Sequence, residues 1–296
     1  MKLSELLCTD RIGLSCELFP PKEGAKLENA AEIVRKTCAL RPDYISVTCG
    51  AGGTTQGFTA ELAKESLACG VPALAHLTCV GATREQIRKT LAQLRAAGVE
   101  NILALRGDLP QGAENPTPVF SHACDLMDEI QAFGGFCIGG ACYPLGHPDA
   151  VNAEEDIAYL KLKMEHGCSF FTTQLFFDNS VYYHFLYRLL AKGVTVPIVA
   201  GIMPVTSLSQ LRRTEQLSGT PIPRRFAALA ERFGDNLRAM RQAGIMYATE
   251  QIIDLYANGV NHVHLYTMNR PDIAREIFAN LSEIFVPEET AHETAV

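Results

Sequence analysis

No apolar run in this 296-residue chain approaches the roughly 18 to 20 residues needed to cross a bilayer. The start, Met1 to Cys8, has neither a long apolar core nor a small-residue cleavage site. A membrane span and a secretory leader are therefore not expected, and a cytoplasmic protein is. Positive charge is also short: 26 Lys and Arg stand against 33 Asp and Glu, for a formal net charge of −7. That sign is wrong for broad contact with a phosphate backbone, so nucleic acid is not an expected partner. The ten cysteines contain no C-x-x-C pair, and Cys16, Cys49, Cys79, Cys137 and Cys142 fall inside apolar runs. They read as small buried hydrophobes in a reducing compartment. A metal is not expected, because no Cys/His cluster has ligand spacing and the His262-x-His264 pair lacks a partner cluster.

Short apolar or β-branched runs bounded by turn residues recur at Ile12 to Phe19, Tyr44 to Thr48, Ala73 to Val80, Ile102 to Leu105, Phe136 to Tyr143, Phe170 to Phe176, Ile198 to Met203 and Val263 to Tyr266. Helix-period segments alternate with them, among them Asn29 to Ala39, Arg84 to Ala97, Ala153 to His166, Ser207 to Gln216 and Asp235 to Asn258. Thr83-Arg84-Glu85-Gln86 has the form of a capping box, and Gly70, Gly98, Gly167, Gly193 and Gly259 stand where helices would stop. Eight β-then-α units without a break in composition predict an α/β chain folded as one closed (β/α)8 TIM barrel over residues 1–285, because closure removes both sheet edges. An open doubly wound sheet would call for Gly-x-Gly-x-x-Gly after the first strand, where this chain has Phe19-Pro20-Pro21-Lys22-Glu23-Gly24. Pro221 to Phe233 reads as a short extra helix between units seven and eight, and 286–296 as an acidic tail.

In such a barrel the chemistry gathers at the C-terminal ends of the strands. Glu17 is an acid inside an apolar strand, where desolvation would raise its pKa toward that of a general acid, unless it is a structural Glu paired with Arg or Lys. Arg106 and Asp108 end the fourth strand and open a Gly- and Pro-rich loop suited to a lid, or else form a local ion pair. Thr48 to Thr55 offers backbone N–H groups beside hydroxyls, a nest for a polar or anionic ligand. Asp156, Tyr159, Leu160 and Lys163 share one helix face, which by spacing alone reads as a solvated surface.

The strand-end segments, in order, are Glu17-Leu18-Phe19-Pro20-Pro21-Lys22, Ser46-Val47-Thr48-Cys49-Gly50-Ala51, His76-Leu77-Thr78-Cys79, Leu105-Arg106-Gly107-Asp108-Leu109-Pro110, Tyr143-Pro144-Leu145-Gly146-His147-Pro148, Thr173-Gln174-Leu175-Phe176-Phe177-Asp178, Gly201-Ile202-Met203-Pro204-Val205 and His264-Leu265-Tyr266-Thr267-Met268-Asn269-Arg270. As a set they resemble the methylenetetrahydrofolate reductase family, flavoenzymes that make 5-methyltetrahydrofolate. The resemblance implies a barrel that binds FAD, takes reducing equivalents from NADH or NADPH and passes hydride to 5,10-methylenetetrahydrofolate in a ping-pong sequence. It implies Glu17 as proton donor to N10 of the folate and Asp108 as a charge that favours both hydride release and the iminium form of the substrate. For FAD it implies Thr48, Ala51, His76, Arg106, Gly107, Asp108, Tyr143, His147, Ala150, Asp156 and Lys163. For the folate, and in part the nicotinamide, it implies Thr48, Asp108, Gln174, Gln210 and Arg270, with Arg212 and Arg213 as added attraction for an anionic tail. Tyr159 and Leu162 depart from the amide and arginine of relatives on the FAD helix, Phe120 stands near a Tyr position, and Thr214 stands where a Phe can stack on substrate. The resemblance also implies a homo-oligomer and, because the chain ends soon after the barrel, leans toward NADH. A barrel that binds flavin or folate without catalysis would be expected to lack the two acids, and a proline dehydrogenase-like oxidase to carry a basic clamp that Arg270 alone does not make.

Overall fold

Parallel neighbours cannot be joined by tight turns, so each strand here is followed by a segment that returns outside the sheet. The computed structural model describes residues 1–21, 27–49, 56–108 and 119–285. Its strands are β1 (Gly13–Leu18), β2 (Ile45–Val47), β3 (Ala73–Thr78), β4 (Asn101–Leu105), β5 (Cys137–Cys142), β6 (Cys168–Thr173), β7 (Ile198–Ile202) and β8 (His262–Tyr266). They close in sequence order into one parallel barrel, β8 pairing back onto β1 through Gly13↔His262 to Glu17↔Tyr266. The expected TIM-barrel class is thus the observed one.

The helices among the described residues are α1 (Leu3–Leu6), α2 (Leu27–Cys38), α3 (Gln56–Ala68), α4 (Arg84–Ala96), α5 (Ala123–Phe133), α6 (Ala153–Glu165), α7 (Asn179–Ala191), α8 (Leu208–Ser218), α9 (Arg224–Phe233), α10 (Leu237–Ala257) and α11 (Pro271–Asn280). The Thr83 capping box forms as its sequence predicts. Gly70, Gly98, Gly167, Gly193 and Gly259 all take positive φ just beyond helices. The extra helix α9 starts at Arg224 rather than Pro221, because the extended Pro223 is its N-cap. The predicted acidic tail, 286–296, lies outside the described residues.

Both faces of the sheet are covered. Outside, strand side chains such as Ile45 and Leu77 share one apolar cluster with helix side chains such as Val34, Leu62 and Leu91. Inside, the lower end is filled by Tyr44, Leu74, Leu103, Cys137, Phe170 and Val199, and α1 plugs it with Leu3 and Leu6. Gly139 makes room there, since a Cβ would stand 2.4 Å from the Phe170 ring. Asn101 holds the plug: its Oδ1 accepts from Leu3 N at 2.7 Å and its Nδ2 donates to Ala73 O at 3.1 Å. With one end stoppered by apolar groups, polar side chains on the inner face are reached from the opposite, C-terminal mouth.

Candidate active site

Side chains alternate along a strand, so Ser15 and Glu17 on β1 share the inner face, as do His264 and Tyr266 on β8. Glu17 is the register partner of Ser46 on β2 and of Tyr266 on β8, while His76 comes from β3. Glu17 Oε2 lies 3.7 Å from His76 Nε2 and 4.0 Å from His264 Nε2. All three are buried, Glu17 at 7 % exposure. Burial pushes the Glu17 carboxyl up to about 8, against a smaller opposing pull from the Ser46 hydroxyl. The same burial pushes the imidazoles of His76 and His264 down to about 3. At neutral pH the cluster is therefore a protonated acid between two neutral rings, because no ion is favourable there. Among the described residues no Arg or Lys pairs with Glu17, and the basic nitrogens beside it are those of these two histidines.

Hydrogen bonds pin the surroundings. Ser15 Oγ lies 2.7 Å from His264 Nδ1, and Ser46 Oγ lies 3.0 Å from His264 Nε2. Tyr44 stacks on the His264 ring at 5.6 Å. The Tyr266 hydroxyl reaches over the intervening strand β7 to donate to Thr173 O, and Gly201 of β7 permits this, since a Cβ there would lie 2.6 Å from the Tyr266 ring. After β8, Thr267 Oγ1 donates to Glu17 O at 2.6 Å, and Asn269 bonds both Phe19 N and Phe19 O. His76 Nε2 is buried with no hydrogen-bond partner.

A second group lies on the rim after β4 and β5. Arg106 pairs with Asp149 at 3.0 Å, which corrects the local Arg106–Asp108 ion pair weighed from sequence. Asp108 is exposed, and its charge reaches Tyr143, whose hydroxyl pKa is raised first by burial. Tyr143 meets His147 edge-on at 4.6 Å. Asp156 Oδ2 accepts from His147 N at 3.2 Å, and Lys163 Nζ donates to Ala141 O at 2.9 Å. Asp156 is only 7 % exposed and Leu160 is buried, so that helix face is not the fully solvated surface its spacing suggested, although Tyr159 on it stays exposed. Ala150 joins the same turn by donating to His147 O at 3.0 Å.

The remaining predicted residues are more scattered. Thr48 follows β2, where its carbonyl accepts from Thr59 Oγ1 at 2.9 Å. Gln174 is exposed after β6, with its Oε1 accepting from Leu175 N. Gln210 is turned onto its own loop, accepting from Thr206 N at 2.9 Å and donating to Pro204 O at 3.1 Å. Arg270 is half exposed and held by Asp272, whose carboxyl it helps to lower to about 2. Tyr159, Leu162, Arg212 and Arg213 are exposed, and Phe120 and Thr214 are buried. Ala51, the rest of the 50–55 nest and the loop 109–118 lie outside the described residues. Sequence reasoning did not single out Ser15 or Ser46, and it weighed His264 only as a metal ligand. Alternation within β1 and β8 was the available signal.

The sequence model of the methylenetetrahydrofolate reductase family matches residues 2–282. The chain belongs to that family. It is 33% identical to 5,10-methylenetetrahydrofolate reductase of Pectobacterium carotovorum, over 90% of this chain and 89% of that one. It is 36% identical to methylenetetrahydrofolate reductase (NADH) 1 of Zea mays over 96% of its length, but spans only 50% of that relative. The chain thus covers about half the length of the plant members of the family. A Clostridium thermocellum protein described as binding two copies of 5-methyl-5,6,7,8-tetrahydrofolic acid shares the fold, with a TM-score of 0.63, 16% identity, and coverage of 95% of this chain and 98% of that one. No helix among the described residues is long and apolar enough to cross a membrane.

Proposed function

We propose that this protein uses NADH or NADPH to reduce 5,10-methylenetetrahydrofolate to 5-methyltetrahydrofolate through bound FAD, as a cytoplasmic homo-oligomer supplying methyl groups for methionine synthesis. The observation that carries the reading is Glu17: a carboxyl that keeps its proton to about pH 8 at the open mouth of a barrel of this family.

The rim suits a flavin dinucleotide. Arg106 and Lys163 are two cations on one wall, and Lys163 gives one ammonium hydrogen to Ala141 O, leaving two for a diphosphate. Gly107, at φ +87°, takes a conformation that side chains resist, and a Cβ there would stand 2.9 Å from Val80. Asp156 and His147 order the neighbouring turn. When bound, FAD would carry two electrons from nicotinamide to folate. The chain supplies the rest. Glu17 delivers its proton to N10, so that the C–N10 bond opens to the N5 iminium that accepts hydride. Asp108 sets a negative charge where that cation forms. Gln174 can donate and accept at a pterin edge, and Arg270 meets an anionic tail.

The test is an anaerobic visible spectrum of the protein with FAD, recorded before NADH, after NADH and after adding methylenetetrahydrofolate. Bands that bleach and then return establish both half-reactions. Bands that bleach without returning point to another acceptor, and failure to take up FAD points to a non-catalytic barrel. Glu17→Gln is expected to bleach with NADH and fail to recover. Loss of both steps in that variant would make Glu17 structural.

A further inference from the structure

The β1–β8 ladder ends at Glu17↔Tyr266, and the chain then reaches α11 through Thr267, Met268, Asn269 and Arg270. Met268 and Asn269 both stand in the left-handed region, at φ +53° and +55°. Side chains there are strained, and such a turn persists where its surroundings over-determine it. Asn269 supplies that determination. Its Oδ1 accepts from Phe19 N at 2.8 Å and its Nδ2 donates to Phe19 O at 3.0 Å, so one side-chain amide takes up both backbone groups of the residue that follows β1. Two positions earlier, Thr267 Oγ1 donates to Glu17 O at 2.6 Å.

Arg270 takes its place from this turn. Its N donates to Thr267 O at 3.0 Å, and its O accepts from Ile273 N at 3.1 Å and Ala274 N at 3.2 Å at the start of α11. Pro271 restricts it from the other side. Its guanidinium bonds Asp272, two residues along the same turn, so the main chain places both members of that pair. We propose that Asn269 is a positioning residue for Arg270: by standing in for a ladder partner of Phe19 it fixes the β8–α11 turn to the end of β1, and so holds the guanidinium where the anionic tail of the folate is met. This deepens the proposed function and rests on Arg270 meeting that tail. Asn enters the left-handed region more readily than most residues and carries a donor and an acceptor on one short planar group. Gly would accept the conformation and offer no bond, and Asp would offer the acceptor without the donor.

The experiment compares the steady-state kinetics of FAD-loaded wild type, Asn269→Gly, Arg270→Ala and the double variant, beside hydrogen–deuterium exchange of the peptide that carries Phe19. Asn269→Gly leaves the left-handed conformation accessible and removes the clamp. The Phe19 amide is expected to exchange faster in it, and KM for methylenetetrahydrofolate to rise by about five- to tenfold, more than kcat falls, as the loss of two hydrogen bonds can supply. In the double variant KM is expected to match that of Arg270→Ala alone, because a residue that acts through Arg270 then has nothing left to place. Independent structural damage would multiply the two effects instead. Multiplied effects, or Phe19 exchange at the wild-type rate, overturn the proposal. A raised KM in Arg270→Ala beside a wild-type KM in Asn269→Gly overturns the proposal alone, whereas a wild-type KM in Arg270→Ala removes the folate role of Arg270 and the proposal with it. Asn269→Asp, which keeps the acceptor for Phe19 N and loses the donor to Phe19 O, takes the place of the glycine variant if that protein does not fold.

Discussion

Replacing Glu17 by Gln removes a titration while keeping the shape of the side chain, and its effect on stability can be worked out from burial. In the folded protein Glu17 holds its proton to about pH 8, against an ordinary value of 4.5. Between those limits the folded chain binds one proton more than the unfolded chain, so the wild type loses stability as pH rises through the window. Three and a half units at about 1.36 kcal/mol each give up to about 5 kcal/mol, absent below pH 4.5 and complete above pH 8. Gln carries no such cost. The advantage of Glu17→Gln over wild type is therefore expected to grow by up to about 5 kcal/mol from pH 4.5 to 8. Urea unfolding of both proteins across this range measures it, followed by far-UV circular dichroism because the chain has no tryptophan. Taking the difference between the two proteins cancels every other titrating group. A difference that does not change with pH would refute the claim that Glu17 is buried as the neutral acid.

Three further outcomes are expected. Gly201→Ala puts a methyl 2.4 Å from Thr173 O and 2.6 Å from the Tyr266 ring, so urea unfolding should show a loss of about 1 to 3 kcal/mol; unchanged stability would mean Tyr266 is not held over β7. Lys163→Met should weaken FAD binding about tenfold or more by calorimetry, and an unchanged affinity would remove Lys163 from the dinucleotide site. Arg270→Ala breaks an exposed pair with Asp272, so stability should move by less than about 0.5 kcal/mol while KM for the folate rises; a wild-type KM would end its role in substrate binding.

The barrel was readable because each β-then-α unit carries an apolar run and a helix period, and most close on a glycine. Helix ends moved by a residue or two where side-chain caps decide them, as at Asn236, which accepts from Arg238 N and Ala239 N and starts α10 at Leu237 rather than Asp235. The helix α1 was missed because four residues carry too little periodicity to register, and its role depends on Asn101, nearly a hundred residues away. The acid itself was legible, since a Glu inside an apolar strand is conspicuous. Its partners were not. Ser15 and His264 stand 249 positions apart, and only closure of β8 onto β1 sets them at 2.7 Å. The family motifs named the residues of the rim but not their present bonds, such as those that turn Gln210 back onto Pro204 and Thr206.

The two acids singled out from sequence differ in what surrounds them, and that difference fits two roles. Glu17 is enclosed by rings that burial keeps uncharged, and an arginine or lysine in place of either histidine would hold its carboxylate and remove the proton the proposed reaction requires. Asp108 is exposed on the rim, in the neighbourhood of Arg106 and Tyr143. Water reaches it, so it suits a place beside the cation of the proposed reaction without a desolvation penalty of its own. Had both acids been buried, one at most would have suited a donor and neither a counter-charge; had both been exposed, neither would keep a proton at neutral pH. The apolar plug under the barrel therefore bears on the chemistry above it. By closing the far end with Leu3, Leu6 and Phe170, it adds apolar cover beneath the buried Glu17.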